Sequence, residues 1–178
     1  EKAYSDPAFG EAVRAYLLEN PQVIVEAMDE YQANQQEIEA KKFEQTLSEK
    51  LDVLHDPSAP FAGNPDGEIV IVEFFDYNCG YCKRAHGEVA KLLETDGNIK
   101  LVVKEFPILG EQSLLASRFA VATKQVAGDD AYKQLNDALM AFNGAVTLPA
   151  LRRLGESFDL DVAAIEAEME SDAVTQEI

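Results

Sequence analysis

Only two of the 178 residues are cysteines, two are histidines, and tryptophan is absent. A closed zinc site wants four ligands, usually Cys pairs or a well-spaced His pair, and His55 and His86 lie far apart in the chain. Basic residues are also few, 15 Lys and Arg against 33 Asp and Glu. The resulting net charge of −18 argues against nucleic acid or an anionic membrane surface as a partner and mainly promotes solubility. No apolar run approaches the roughly 18 residues of a membrane span, and no leader with a basic start and an apolar stretch is present. Glu1-Lys2-Ala3 reads as a mature, processed start. Glycine is missing between Gly10 and Gly63, so that region reads as helix almost throughout.

The two cysteines sit two residues apart in Phe74-Phe75-Asp76-Tyr77-Asn78-Cys79-Gly80-Tyr81-Cys82. The run Ile69 to Phe75 is a short block of β-branched and aromatic residues behind the turn signal Gly63-Asn64-Pro65-Asp66-Gly67, which predicts a strand buried on both faces. After Cys82 the period changes: Val89, Leu92 and Leu93 recur at helical spacing among charged residues, predicting an amphipathic helix that ends near Asp96-Gly97. The pair therefore lies where a strand hands over to a helix. Unpaired amides and the positive end of the helix dipole favour a thiolate there. Cys79, nearer the strand end, is the expected nucleophile, and Cys82, one turn in, the expected resolving thiol. The competing readings are half of a zinc site, two inert thiols, or a copper(I) site on Cys79 and Cys82, since two thiolates suit a soft monovalent metal.

The rest of the chain divides around these residues. Phe9, Val13, Tyr16 and Leu17 form one stripe that stops at Asn20-Pro21, where Asn20 is expected to cap a second helix. That helix carries Ile24, Met28, Tyr31 and Ile38, then a polar middle, then Phe43, Leu47, Leu51 and Leu54. One unbroken helix from Pro21 to Leu54 would be on the order of 50 Å long, and its stripe needs another chain or a bend to cover it. His55 to Pro60 is a turn-rich boundary, giving segments 1–56 and 57–178. Beyond it, Ile69–Phe75, the helix after Cys82 and a strand from Ile99 to Glu105 make a βαβ unit. Helices follow, ended at Gly128 and at Asn143-Gly144, then two capped by Thr147 and by Asp161, the latter being the last. Glu73 stands among apolar neighbours, where burial would raise its pKa, and Lys104 on the adjacent strand is its expected partner. Lys83, Arg84 and His86 make a small basic patch that reads mainly as a solvated helix face.

The run Glu73 to Lys83, its upstream Gly63–Gly67 turn, the strand Ile99 to Phe106 and the loop Phe106-Pro107-Ile108-Leu109-Gly110 resemble the DsbA-like branch of the thioredoxin superfamily. Within that branch the similarity is to ScsC-type (suppressor of copper sensitivity) proteins. The resemblance covers Pro57 to about Ile178, and roughly Ala8 to Leu54 resembles the oligomerising segment of the same proteins. It implies an α/β thioredoxin-like fold with a helical insertion at about 111–175 behind a helical segment, 1–56, that assembles three chains. It also implies a periplasmic thiol:disulfide interchange protein working through Cys79 and Cys82, with Glu73 assisting proton transfer and no cofactor. The implied partners are exported cysteine-containing proteins and a membrane thiol partner of the DsbD/ScsB or DsbB type. Gly80-Tyr81 is shared with several isomerases, which favours an isomerase or reductase over a monomeric dithiol oxidase. The cis-proline strand of DsbA-like proteins, its hairpin partner and the final helix have no counterpart here, since Pro107 follows the wrong strand and Pro149 opens a helix. The natural protein is therefore expected to continue past Ile178 with a Thr-Pro or Val-Pro dipeptide and two more strands, unless another copy supplies the strand by exchange.

Overall fold

A computed structural model describes residues 6–178; Glu1 to Ala3 lie outside the described residues. The chain forms two compact units, one through Leu54 and one from His55 to Ile178.

In the first unit, α1 runs Pro7–Glu19 and α2 runs Gln22–Glu49, followed by the single turn α3, Leu51–Leu54. Asp6 caps α1 by accepting from the Ala8 amide at 3.0 Å. Asn20 closes α1 rather than capping α2: its side-chain amide donates to the Tyr16 carbonyl at 3.0 Å, and α2 opens at Pro21 without a side-chain cap. The polar middle does not break α2. Its residues support the helix through i,i+4 pairs such as Lys41 to Glu37 at 2.6 Å, and the helix is about 42 Å long over its 28 residues. Ile24, Met28, Tyr31, Ile38, Phe43 and Leu47 are all exposed along it.

In the second unit, β1 (Phe61–Gly63), β2 (Ile69–Phe75) and β3 (Ile99–Glu105) form a sheet in the order β1-β3-β2. β2 and β3 are parallel in the register Ile69↔Ile99 through Phe75↔Glu105, joined by α4, Gly80–Thr95. β1 adds antiparallel to β3, a pairing its three residues do not announce in sequence. Gly63 ends β1 at φ +79°, and a Cβ there would stand 2.5 Å from the Ile99 carbonyl oxygen, so only glycine lets the turn approach β3 this closely. The expectation that β2 is buried on both faces does not hold. β2 pairs with β3 alone among the described residues, and Ile69, Val70, Ile71 and Phe74 are exposed, with burial complete only at Phe75.

The core sits beyond the carboxyl ends of the strands, under the helices of the insertion. These are α5 (Glu111–Ala127), α6 (Asp129–Ala141), α7 (Leu148–Glu156), α8 (Val162–Glu168) and α9 (Asp172–Glu177). Phe75 and Tyr77 pack with Phe119, Leu135, Leu139, Leu151 and Ile165 in one buried cluster. Each such side chain stabilises the fold by roughly 1.5–3 kcal/mol. Thr147 and Asp161 cap α7 and α8 as expected from sequence, bonding the amides of Ala150 and Ala164 at 3.4 and 3.0 Å. The segment after Asp161 is not one helix: it ends at Met169, and Ser171 caps a separate α9 through the Val174 amide at 3.1 Å. Caps of this kind contribute about 1 kcal/mol each.

Candidate active site

Strand β2 ends at Phe75, and the loop Asp76-Tyr77-Asn78 carries the chain to Cys79, which is the N-cap of α4. The loop is held by its own side chains. Asp76 is buried, with one carboxylate oxygen accepting from the Asn78 amide at 2.7 Å and the other from the Leu109 amide at 3.0 Å. Asn78 donates through Nδ2 to Ser113 Oγ at 3.0 Å. The loop is thereby pinned both to the segment after β3 and to the first turn of α5.

At the N-cap, Sγ of Cys79 accepts from the Cys82 amide at 3.4 Å, in the place where Ser or Asp normally stands. That bond, reinforced by a bond from the Cys82 thiol and by the Tyr81 amide, holds the Cys79 thiol below its ordinary pKa. Cys82 behaves oppositely. Partial burial against the core pushes its thiol up, and the neighbouring Cys79 and Glu73 charges add to the rise. Tyr81 between them is 79% exposed, with the Arg84 guanidinium 4.4 Å over its ring.

Glu73 is half-buried in β2, and burial raises its pKa, with His86 acting in the opposite direction. Its expected pairing with Lys104 does not form. In the parallel register Glu73 stands opposite Val103 while Lys104 stands opposite Phe74, and successive residues of a strand face opposite sides of the sheet. The neighbouring basic side chain is instead His86 on α4, whose Nε2 lies 3.0 Å from Asp137 Oδ1 on α6. Glu73, His86 and Asp137 line one cavity of about 690 Å³ between the sheet, α4 and α6. Of the basic patch, Lys83 donates to the Phe142 carbonyl and Arg84 stacks on Tyr81. The two thiols are the only cysteines in the chain, and no cluster of three or more His, Cys, Asp or Glu suited to a metal occurs among the described residues.

Glu105, at the end of β3, is a polar group that the sequence pattern does not single out. It is buried, and its carboxylate accepts from the hydroxyls of Tyr77 and Tyr132 at 2.8 Å each and of Ser117 at 2.7 Å. Burial raises its pKa to about 7 against the lowering effect of those three bonds.

A thioredoxin family model matches residues 55–177, which is most of the chain. The chain belongs to the thioredoxin family. A second model, the N-terminal domain of copper resistance protein ScsC, matches residues 7–37. Among solved structures, a thioredoxin-like oxidoreductase from Silicibacter pomeroyi DSS-3 is 42% identical over 71% of this chain and 72% of its own, with a TM-score of 0.66. BcfH of Salmonella enterica Typhimurium is 26% identical, with coverage of 99% and 74% and a TM-score of 0.72. The catalytic domain of Proteus mirabilis ScsC is 25% identical, with coverage of 74% and 72% and a TM-score of 0.64. The α/β fold with its helical N-terminal segment is thus that of DsbA-like and ScsC-type proteins. The curated relatives are Na(+)/H(+) antiporters of Salinispora species; NhaA 1 of Salinispora arenicola is 28% identical over 109 residues, and the chain spans 16% of its length. No helix among the described residues is long and apolar enough to cross a membrane.

Proposed function

We propose that the protein is a periplasmic thiol:disulfide oxidoreductase acting through Cys79 and Cys82 on exported proteins, as an isomerase or reductase, and as a homo-oligomer with a trimer favoured. The observation that carries this reading is the asymmetry of the two thiols: Cys79 is lowered at the helix N-cap while Cys82, three residues on, is raised by burial. That asymmetry suits a nucleophile and a resolving thiol. The Cys79 thiolate attacks one sulfur of a substrate disulfide, forming a mixed disulfide and expelling the other sulfur as a thiolate that takes a proton from water. The expelled thiolate can then attack another disulfide of the same substrate, and a final attack on the mixed disulfide returns Cys79 unchanged with no net electron transfer. Alternatively Cys82 loses its proton and attacks Sγ of Cys79. The substrate leaves reduced by two electrons and the pair remains as a disulfide. Glu73, near enough to Cys82 to influence its charge, is the base for that second step.

The oligomer is supported by the ScsC N-terminal match at residues 7–37 and by the exposed apolar residues of α2. Periplasmic location and a membrane thiol partner rest on the likeness to ScsC and DsbA-like proteins. The test is refolding of a scrambled-disulfide substrate in glutathione buffer, with the oligomeric mass measured on the same sample: recovery of native substrate by an oligomer supports the reading, and simple oxidation by a monomer favours a dithiol oxidase. A second reading, copper(I) held by Cys79 and Cys82, is favoured by the copper-resistance description of the N-terminal match and by the softness of two thiolates. Sub-micromolar copper(I) binding lost in the Cys79→Ser, Cys82→Ser double variant would support it, and no binding under reducing conditions would remove it.

A further inference from the structure

Glu105 is an ionisable side chain buried beside an apolar cluster, which is a costly arrangement unless its carboxyl oxygens are hydrogen-bonded. Here both oxygens are bonded, by groups from three separate elements. Tyr77 comes from the loop before Cys79, Ser117 from α5 and Tyr132 from α6, while Glu105 itself ends β3 beside Phe75. Tyr77 is saturated as well: its hydroxyl donates to Glu105 and accepts from Asn136 Nδ2 at 3.0 Å. Tyr77 is fully buried and stands two residues before Cys79, whose own amide bonds the Asp76 carbonyl at 3.0 Å. A shift of the Tyr77 ring therefore moves the backbone that presents Cys79 to the α4 amides.

We propose that Glu105 is a positioning residue for the dithiol: through the Tyr77 hydroxyl it fixes the loop Asp76–Asn78 so that Sγ of Cys79 stays at the N-cap of α4. The proposal rests on the reading of Cys79 as the attacking thiol. It assigns Glu105 no contact with substrate.

The test compares four single variants and one double variant by unfolding midpoint and by the pH dependence of thiolate absorbance and iodoacetamide alkylation at Cys79. Tyr77→Phe keeps the ring and removes the bond, and should raise the Cys79 pKa by about half a unit or more, roughly threefold less thiolate at a fixed pH below it. Tyr132→Phe removes an equal donor from the same Glu105 oxygen without touching the loop, and should move Cys79 less than half as far for a similar loss of stability. Glu105→Leu should match Tyr77→Phe at Cys79, and combining the two should add nothing further, because paired residues acting as a unit are non-additive. Glu105→Gln, whose amide oxygen still accepts from both tyrosines while its NH₂ donates to Ser117, should restore Cys79 to the parent value. If Glu105→Leu does not fold, the Tyr77→Phe and Tyr132→Phe comparison decides alone. Equal effects of those two variants on Cys79, or no effect of Tyr77→Phe despite lost stability, overturns the proposal. The thiolate readout needs no protein substrate, so it is separate from the activity assay, where a parent protein unable to exchange disulfides would sink the functional reading instead.

Discussion

The backbone amide of Cys82 donates to Sγ of Cys79 at 3.4 Å, so the second cysteine of the motif supplies the bond that makes the first one acidic. The same turn places Cys82 against the core, where burial makes it less acidic. Alkylation followed residue by residue across pH 4–10 should label Cys79 first, with its midpoint below that of an ordinary thiol near 8.5 and Cys82 above it. Labelling of Cys82 ahead of Cys79 at mildly acidic pH would reverse the two roles.

Glu73 is expected to act on the second half of the reaction. Glu73→Gln should leave the attack of Cys79 on a model disulfide within about twofold of the parent rate. It should slow resolution of the mixed disulfide by Cys82 by roughly tenfold or more, since general-base contributions are typically about 10²–10⁴. Stopped-flow or quenched-flow separation of the two steps checks this, and equal slowing of both would remove Glu73 from the proton path.

The stability of the protein should depend on pH through Glu105. Its folded pKa, about 7, lies above an unfolded value near 4.3. The stabilisation is therefore complete below about pH 4.3 and is lost as pH rises through 7, when the buried group must ionise, at a cost of about 4 kcal/mol. The charged and titratable groups that act on it are Tyr77 from the motif loop, Tyr132 from α6 and Glu177 from α9, the last held by Lys124 at 3.1 Å. Unfolding by urea at pH 5, 6, 7 and 8 should show stability falling with pH, and Glu105→Gln should remove most of that slope. An unchanged slope in the variant would show that other groups set it.

The described residues through Leu54 form their own compact unit, and apolar side chains of α2 are exposed along its length. Removing residues 1–54 should leave a monomer that still oxidises dithiols but no longer isomerises disulfides. Sedimentation of the full chain as a monomer would take away the main support for isomerase activity.

Much of this architecture was readable from local pattern. The bounds of β2 and β3, the helix after Cys82 and the caps at Thr147 and Asp161 follow from period and capping chemistry, which act over a few residues. What was not readable depends on register and on distant partners. Lys104 looks adjacent to Glu73 along two neighbouring strands, but a one-residue offset in pairing sends it to the other face. β2 reads as a doubly covered strand from composition alone, whereas its exposure is set by its place at the end of the β1-β3-β2 order. The Glu105 cluster joins residues 12, 27 and 28 positions away, and its only trace in sequence is a pair of tyrosines on otherwise apolar faces.

The central claim is that Cys79 attacks disulfides and Cys82 resolves the product. The most direct measurement is intact-mass detection of mixed disulfides after incubation of single-cysteine variants with a disulfide-bonded protein substrate. Cys82→Ser should accumulate a covalent adduct through Cys79, and Cys79→Ser should accumulate none and lose at least about a hundredfold in exchange rate. An adduct through Cys82 in Cys79→Ser at the rate seen for Cys79, or no adduct in either variant, would contradict the account.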